Sequence, residues 1–362
     1  MTRAAFCDTG IFRKDGIFYR MLTNPERESF VQNNLPYHIT FELTSKCHGS
    51  CAYCYNSSDE VTDYFLPPER VYRLVDEAKE IGPRMIIWHG GDPLLHPQCF
   101  DFMRYSTDQG FQNMMVLNPM MSKQVAKQIC DCQVDMVTMH IDTIDQEAYN
   151  QVHTNPKTLE AKVQGYRNLL EAGFPPQNVA GILTLTRPML HTISETVDWF
   201  VHQMGASFVC FEIFRAEGFG KGHYEWEPSL SELKKAYEDR ARVLGDMDLL
   251  RMGTMDISRD ACKSHFVVTY EGQVKPCVFM VGLSLGNIYQ EGLVDLFHKH
   301  RDRLLYNFDV KGYCGEECEN RGVCWGCRAV TYYYTGDVQA SDPKCWWNPD
   351  NSDYFFQASN NS

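Results

Sequence analysis

Three cysteines crowd the stretch TSKCHGSCAYCY, residues 44–55: Cys47, Cys51 and Cys54, separated by three and then two residues. Gly49 and Ser50 are poor helix formers, so the stretch reads as a tight loop and not as a packed helical face. A disulfide would use two of the thiols and strand the third. Three thiolates on one loop can bind three corners of a cubane iron–sulfur cluster. The fourth iron then lacks a protein ligand and is open to a substrate or cofactor. Zinc is the rival, because structural zinc sites also use cysteine. Those sites take four ligands, and His48 lies on the wrong side of a short loop to serve as the fourth.

A second group follows: Cys262 and Cys277, then Cys314, Cys318, Cys324 and Cys327, then Cys345, so that ten of the 15 cysteines are clustered. The other five, Cys7, Cys99, Cys130, Cys132 and Cys210, read as buried packing residues. Cys130 and Cys132 in QICDCQ resemble a chelating pair, but nothing nearby completes a site. The start lacks an apolar signal segment, and no run of about 18 apolar residues exists, so neither export nor a membrane span is expected. That places the chain in the cytoplasm, where disulfides are disfavoured and metal or redox chemistry is the natural use of so many thiols. A net charge of −13 argues against broad nonspecific binding to nucleic acid or anionic lipid.

The elements that must position these thiols are legible upstream of residue 215. YHITFELT (37–44) reads as a strand ending just before the cysteine triplet, and PPERVYRLVDEAKEIG (67–82) as a helix. RMIIWHGG (84–91) is a strand closed by Gly90-Gly91-Asp92-Pro93. FQNMMVLN, VDMVTMHID, VAGILTLT and SFVCFEIF read as further strands. KQVAKQIC, LEAKVQGYRNLLEAG and ISETVDWFVHQMG read as the helices between them. Strand alternating with helix is the signature of a parallel sheet with crossover helices. About six such units fit, fewer than the eight of a complete barrel, so the expected fold is α/β, a partial (β/α)6 TIM-like barrel. The helix LSELKKAYEDRARVLGD bridges to residues 256–350, where Gly, Cys and aromatics dominate. Such a segment is expected to lack a large apolar core and to be held by metal. The division is a hairpin extension over 1–36 (GIFRKDGIFYRML, 10–22), the barrel over 37–235, a cysteine-rich domain over 236–350 and a polar tail over 351–362.

Cys47-x3-Cys51-x2-Cys54, with Tyr53 before the last cysteine and a strand before the first, resembles the radical S-adenosylmethionine (radical SAM) superfamily. HGGDP at the end of the second strand resembles that family's Gly-Gly-Glu-Pro motif, with Asp92 in place of the usual Glu; standing alone it would read as a simple turn. The resemblance implies a [4Fe–4S] cluster on the triplet. It also implies SAM bound by its amine and carboxylate to the open iron, with the backbone of Gly90, Gly91, Asp92 and Pro93 at the methionine amino group. One electron then cleaves the S–C5′ bond, and the 5′-deoxyadenosyl radical abstracts a hydrogen atom from the substrate. Such an enzyme takes its electron from a donor such as flavodoxin or ferredoxin. Tyr53 joins the cofactor set. His140 falls where relatives often place a ribose-contacting Ser. Asp142 reads equally as an acceptor behind the site or as a turn former. Asn118 resembles a third-strand Asn of relatives, or serves a turn. Arg187 and Arg215 lie near strand ends and either face an anion or sit solvated.

The second cysteine group, with Gly272 five positions before Cys277, resembles the SPASM extension, which carries two auxiliary iron–sulfur clusters; two zinc sites are the alternative. Carried over residue by residue, Cys314, Cys318, Cys324 and Cys345 hold the outer cluster, and Cys262, Cys277 and Cys327 the inner one. The gaps between Cys314, Cys318, Cys324 and Cys327 are three, five and two, where the family usually shows two, five and three. The inner set has three cysteines, so either Asp256 or another residue ligates, or an iron stays open. Sulfatase-maturing relatives carry an Asp base directly after the position of Cys277; here that residue is Val278, which disfavours sulfatase maturation.

The resemblance thus implies a radical SAM enzyme, and the expected substrate is a ribosomal peptide or protein side chain, modified by a thioether or carbon–carbon crosslink or by oxidation. Only 46 residues precede Cys47, so leader recognition would fall to a separate leader-peptide-binding protein. The alternative is an oxidoreductase, epimerase or dehydratase acting on a sugar, aminocyclitol or cofactor precursor. A noncatalytic iron–sulfur electron carrier explains the thiols but not HGGDP.

Overall fold

A computed structural model describes residues 14–15, 19–20, 25–56, 63–254 and 256–351. The hairpin expected over 10–22 lies outside these residues except for Lys14, Asp15, Tyr19 and Arg20, and so does the tail after Asn351. Helix α1 (Pro25–Gln32) leads into β1 (His38–Glu42). Strands β2 (Met85–His89), β3 (Gln112–Leu117), β4 (Met136–His140), β5 (Val179–Leu185) and β6 (Phe208–Ile213) follow, each parallel to the one before it. They are mostly buried apolar runs, as a parallel sheet covered on both faces requires.

The crossovers are α2 (Pro68–Ile81), α3 (Cys99–Asp108), α4 (Lys123–Asp131), the pair α5 (Gln146–Val152) and α6 (Thr158–Glu171), and α7 (Ile193–Asp198). Helix α7 runs on into a wide π turn over Trp199–Gln203. In α2, Val71, Leu74, Val75, Ala78 and Ile81 recur at helical spacing and are buried. Gly82 stops that helix at φ 88°, a left-handed cap. The architecture is the expected partial (β/α)6 barrel.

Helix α6 lies hard against the loop after β3. A Cβ on Gly165 would stand 1.6 Å from the Pro119 carbonyl oxygen and 2.8 Å from the Met121 nitrogen. Gly165→Ala is therefore expected to destabilise by about 1–3 kcal/mol or more through overpacking. This outweighs the roughly 1 kcal/mol that Ala gains over Gly in a helix. Denaturant unfolding checks it; an unchanged midpoint contradicts it.

The sheet does not stop at β1. After α8 (Leu230–Leu244) and α9 (Arg259–Cys262), β7 (His265–Val268) pairs parallel with β1, and β8 (Val274–Lys275) pairs antiparallel with β7. The sheet order is β6-β5-β4-β3-β2-β1-β7-β8. This corrects the expectation that residues 256–350 lack an apolar core. Phe266, Val268, Val274, Leu296 and Phe297 join the cluster that holds Ile39 and Phe41. Helix α10 (Leu293–Leu304) packs on α2, and the short helices α11 (Tyr313–Glu316) and α12 (Arg328–Thr335) flank the last cysteine-rich loops.

The far edge of the sheet is sealed by a buried ion pair. Arg240 of α8 donates to the Val209 carbonyl at 3.1 Å, and Asp256 accepts from the Phe211 amide, so side chains take the place of a next strand beside β6. Among the described residues no helix is long and apolar enough to cross a membrane.

Candidate active site

The cysteine triplet sits where β1 ends, on a loop fastened from two sides. From one side, the Gly91 amide donates to the Thr44 carbonyl at 2.7 Å and the Asp92 amide to the Lys46 carbonyl at 2.8 Å. A Cβ on Gly91 would stand 2.4 Å from the carbonyl oxygens of Ser45 and Lys46, so only glycine lets the two loops meet. Gly90 adds a φ of 139°. Asp92 is buried, caps the short turn after it by accepting from the Leu94 amide at 3.1 Å, and is pushed by burial up to about 7. From the other side, the Ala52 amide donates to Val152 at 2.9 Å and the Thr154 amide to Ser50 at 2.8 Å, with Cys51 bridged to His153. The Cys47 sulfur accepts from the Gly49 amide at 3.1 Å and the Asn118 side chain at 3.6 Å.

A cavity of about 360 Å³ opens beside this loop. It is lined by Cys47, Cys51, Cys54, Tyr53, Gly90, Gly91, Asn118 and His140, and also by Glu212, Arg215 and Phe279. Asp92, Pro93 and Asp142 stand behind the wall. Tyr53 donates from its hydroxyl to Asp142, whose other oxygen accepts from the Thr184 amide at 2.9 Å. His153 and His140 approach the same carboxylate at 3.4 and 3.6 Å. Burial pushes Asp142 up, but His140, His153 and Lys162 outweigh it and hold it well below the carboxylate range. Burial pulls His140 down, but Asp142 and Cys51 raise it to about 9. Burial likewise pushes the Cys51 thiol up, and Lys162, His153 and His140 overcome it, favouring thiolate. Asp142 is thus a buried latch that holds Tyr53, rather than a turn former.

Sequence reasoning missed the carboxyls inside the barrel. Glu212, at the end of β6, lines the cavity and is pushed by burial up to about 7. Glu42 is buried near His89, 3.9 Å away, and burial lifts it to about 7 against the pull of Lys275. The signal was a lone acid in an otherwise apolar strand, in ITFEL and VCFEI. Because the unfolded chain releases the Glu42 proton at a lower pH than the folded one, stability falls as pH rises from the ordinary carboxylate range through about 7. Glu42→Gln is expected to raise the melting temperature above pH 7 and leave it nearly unchanged at pH 4.5. Equal shifts at both pH values contradict this.

Arg187 donates to Glu232 at 3.1 Å and to the carbonyls of Glu225 and Glu227 at 2.8 and 2.7 Å. Arg215 does line the cavity. It pairs with Glu217 at 2.7 Å and lies over the Phe279 ring, with Cys277 and Cys327 near its charge.

In the C-terminal region, Cys314, Cys318, Cys324 and Cys345 line one small cavity. The Asp342 and Gly326 amides donate to the sulfurs of Cys314 and Cys324, each at 3.4 Å. Cys262, Cys277 and Cys327 form the other group, facing the buried Tyr306 hydroxyl, which burial and these thiols push well above its ordinary range. Asp342, which the sequence did not single out, ties the groups together. It accepts from the Cys327 amide at 2.9 Å and from Thr254 at 3.0 Å. Asp256 is committed elsewhere, bidentate to Arg240 at 2.7 and 2.6 Å.

Among the described residues no three His, Cys, Asp or Glu side chains converge as ligands of a single metal ion would. A cubane asks for a wider spacing, because each thiolate binds a different iron.

A partial barrel whose first strand feeds a three-thiol loop, followed by a seven-cysteine segment, defines an iron–sulfur protein with a cofactor cavity at the C-terminal ends of its strands. The chain belongs to the radical SAM superfamily, whose model matches residues 41–200, and carries a SPASM iron–sulfur cluster-binding domain matched over residues 261–328. Its cofactors are accordingly SAM, a [4Fe–4S] cluster and the auxiliary clusters typical of SPASM domains. It is 26% identical over 353 residues to an AdoMet-dependent heme synthase of Methanosarcina barkeri, covering 87% of this chain and 98% of that protein. A PqqA peptide cyclase of Granulibacter bethesdensis is 23% identical, covering 87% and 88%. Among solved structures, Streptococcus suis SuiB bound to the precursor peptide SuiA shares the fold with a TM-score of 0.64 at 15% identity, covering 91% of this chain and 81% of that one.

Proposed function

We propose that Cys47, Cys51 and Cys54 hold the [4Fe–4S] cluster, and that a substrate side chain or pendant group reacts in the cavity beside them. The observation that carries this is the juxtaposition of three thiols, a Gly-Gly cradle and His140 around one cavity. The donor set fits. The thiols receive N–H···S bonds, and no hydrogen bond from the described residues reaches the carbonyl oxygens of Gly90 and Gly91, leaving acceptors for an ammonium group. When bound, cluster and SAM supply reductive cleavage to a 5′-deoxyadenosyl radical that takes a hydrogen atom from a C–H bond. The chain does the rest. Tyr53, latched by Asp142, and His140 orient the nucleoside. Asp92 and Pro93 hold the Gly-Gly turn in place. Phe279 and Arg215 wall the cavity from the thiols of Cys277 and Cys327.

Cys314, Cys318, Cys324 and Cys345 hold the outer auxiliary cluster, and Cys262, Cys277 and Cys327 the inner one. Asp256, already paired, is not the fourth inner ligand. The barrel over 37–235 and the domain over 236–350 work as one body, joined by β7.

The substrate is a peptide or protein side chain. The cavity is lined by the exposed ring of Phe219, and the exposed Tyr64 stacks on Tyr270 of its lining, which gives a longer chain apolar surface to rest on. The near full-length match to heme synthases supports a second reading, a small molecule that presents one substituent to the same cavity. Full-length protein, reconstituted anaerobically with iron and sulfide and given SAM and dithionite, is expected to release 5′-deoxyadenosine. Intact clusters without it leave an electron carrier. Peptides encoded beside the gene are then expected to change mass, and turnover of small molecules alone overturns the peptide reading.

A further inference from the structure

Lys162 on α6 is fully buried, and its ammonium has no hydrogen-bond partner among the described residues. The other buried positions of that helix include Leu159, Gly165, Tyr166 and Leu169, so one charge interrupts a largely apolar face. An unpaired buried ammonium costs several kcal/mol, so an anion must answer it. The Lys162 nitrogen lies 5.5 Å from the centre of the Tyr149 ring. Tyr149 stacks at 3.6 Å on His153, and His153 is bridged through its backbone to Cys51. The groups around Lys162 that can carry negative charge include Cys51, Tyr149, Asp142, Cys47 and Asp92. Asp142 already serves Tyr53 and the Thr184 amide, Asp92 caps the Leu94 amide, and the Tyr149 hydroxyl is bonded to Thr158. What is left is the thiolate loop. Lys162 does not line the cavity, which keeps it off the substrate.

We infer that Lys162 is the buried counter-cation of the cysteine loop, a positioning residue that stabilises the reduced state of the cluster held there. The inference rests on the proposed assignment of that cluster to Cys47, Cys51 and Cys54. One-electron reduction adds negative charge to the site. A fixed cation in a medium of effective dielectric constant about 20 favours it, and its removal makes reduction harder.

The test is a redox titration, followed by electron paramagnetic resonance, of full-length wild-type, Lys162→Met and Lys162→Gln proteins loaded anaerobically. Iron content and SAM affinity are measured alongside. The expected result is retained iron, a reduction equilibrium at least about tenfold less favourable for this cluster alone, which is 59 mV for one electron, and SAM affinity within about threefold. Auxiliary-cluster signals that stay in place show the effect to be local. If one variant fails to fold, the other gives the potential. An unchanged potential in loaded variants overturns the inference and leaves the cluster assignment standing. So does a large loss of SAM affinity without a shift, which would make Lys162 a ligand of SAM instead. Wild-type protein with no cluster at the loop overturns the assignment, and the inference with it.

Discussion

Cys51→Ala is expected to lower 5′-deoxyadenosine formation by at least about a hundredfold, or some 2.7 kcal/mol of barrier, and to cost about four irons per chain. Cys51 is the best-positioned of the three thiols. Its loop is tied to Val152 and Thr154 by backbone bonds of 2.9 and 2.8 Å, and the charges of Lys162, His153 and His140 favour its thiolate. Cys47 is exposed and held by two weak N–H···S contacts. Losing Cys51 therefore removes the thiolate that needs least preparation and takes from Lys162 its foremost anionic neighbour. Cys130→Ser, a half-buried thiol of α4 that does not line the cavity, is the control and should retain full activity and iron. Product analysis and iron content check both. A Cys51→Ala protein that still yields 5′-deoxyadenosine at the wild-type rate contradicts the assignment.

Arg240→Met is expected to cost about 3–5 kcal/mol of stability, the usual penalty for stranding one member of a buried pair. Arg240 and Asp256 are 2% and 5% exposed, so water cannot take the place of the lost partner. The guanidinium lies against the edge-to-face pair of Phe211 and Tyr237, 4.2 and 4.8 Å from their ring centres. Its loss also frees the Val209 carbonyl at the edge of β6. Asp256→Asn should cost less, because the amide oxygen can still accept from Arg240 and Phe211. Combining Arg240→Met with Asp256→Leu is expected to cost less than the sum of the single changes, since the second removes the stranded charge. Denaturant unfolding of the cluster-loaded proteins measures this; additive losses contradict the coupling.

The strand–helix alternation was readable because the barrel strands are short apolar runs between turn residues, and β1 to β6 fall where Ile39, Phe41, Met115, Val137 and Leu183 predict them. Helix α3 was not read. Its buried stripe of Cys99, Phe102, Met103 and Ser106 includes a thiol and a hydroxyl, and no side-chain cap marks its start. Strands β7 and β8 are four and two residues long, too brief for a period to show, and only pairing with β1 gives them meaning. At the site, cysteine spacing and HGGDP carried the signal because loop chemistry is local. Lys162, Arg240 and Asp342 act on partners that only the fold supplies, so their types alone said nothing, and Asp256, read as a candidate ligand, turned out paired with Arg240.

The most direct measurement is the electron paramagnetic resonance spectrum of the dithionite-reduced, fully loaded protein, recorded with and without SAM. A cluster held by three thiolates has an iron free to take SAM, so one of the overlapping signals is predicted to shift when SAM is added, and that signal alone is predicted to be missing in Cys51→Ala. A spectrum indifferent to SAM, or zinc in place of iron at the loop of Cys47, Cys51 and Cys54, would contradict it.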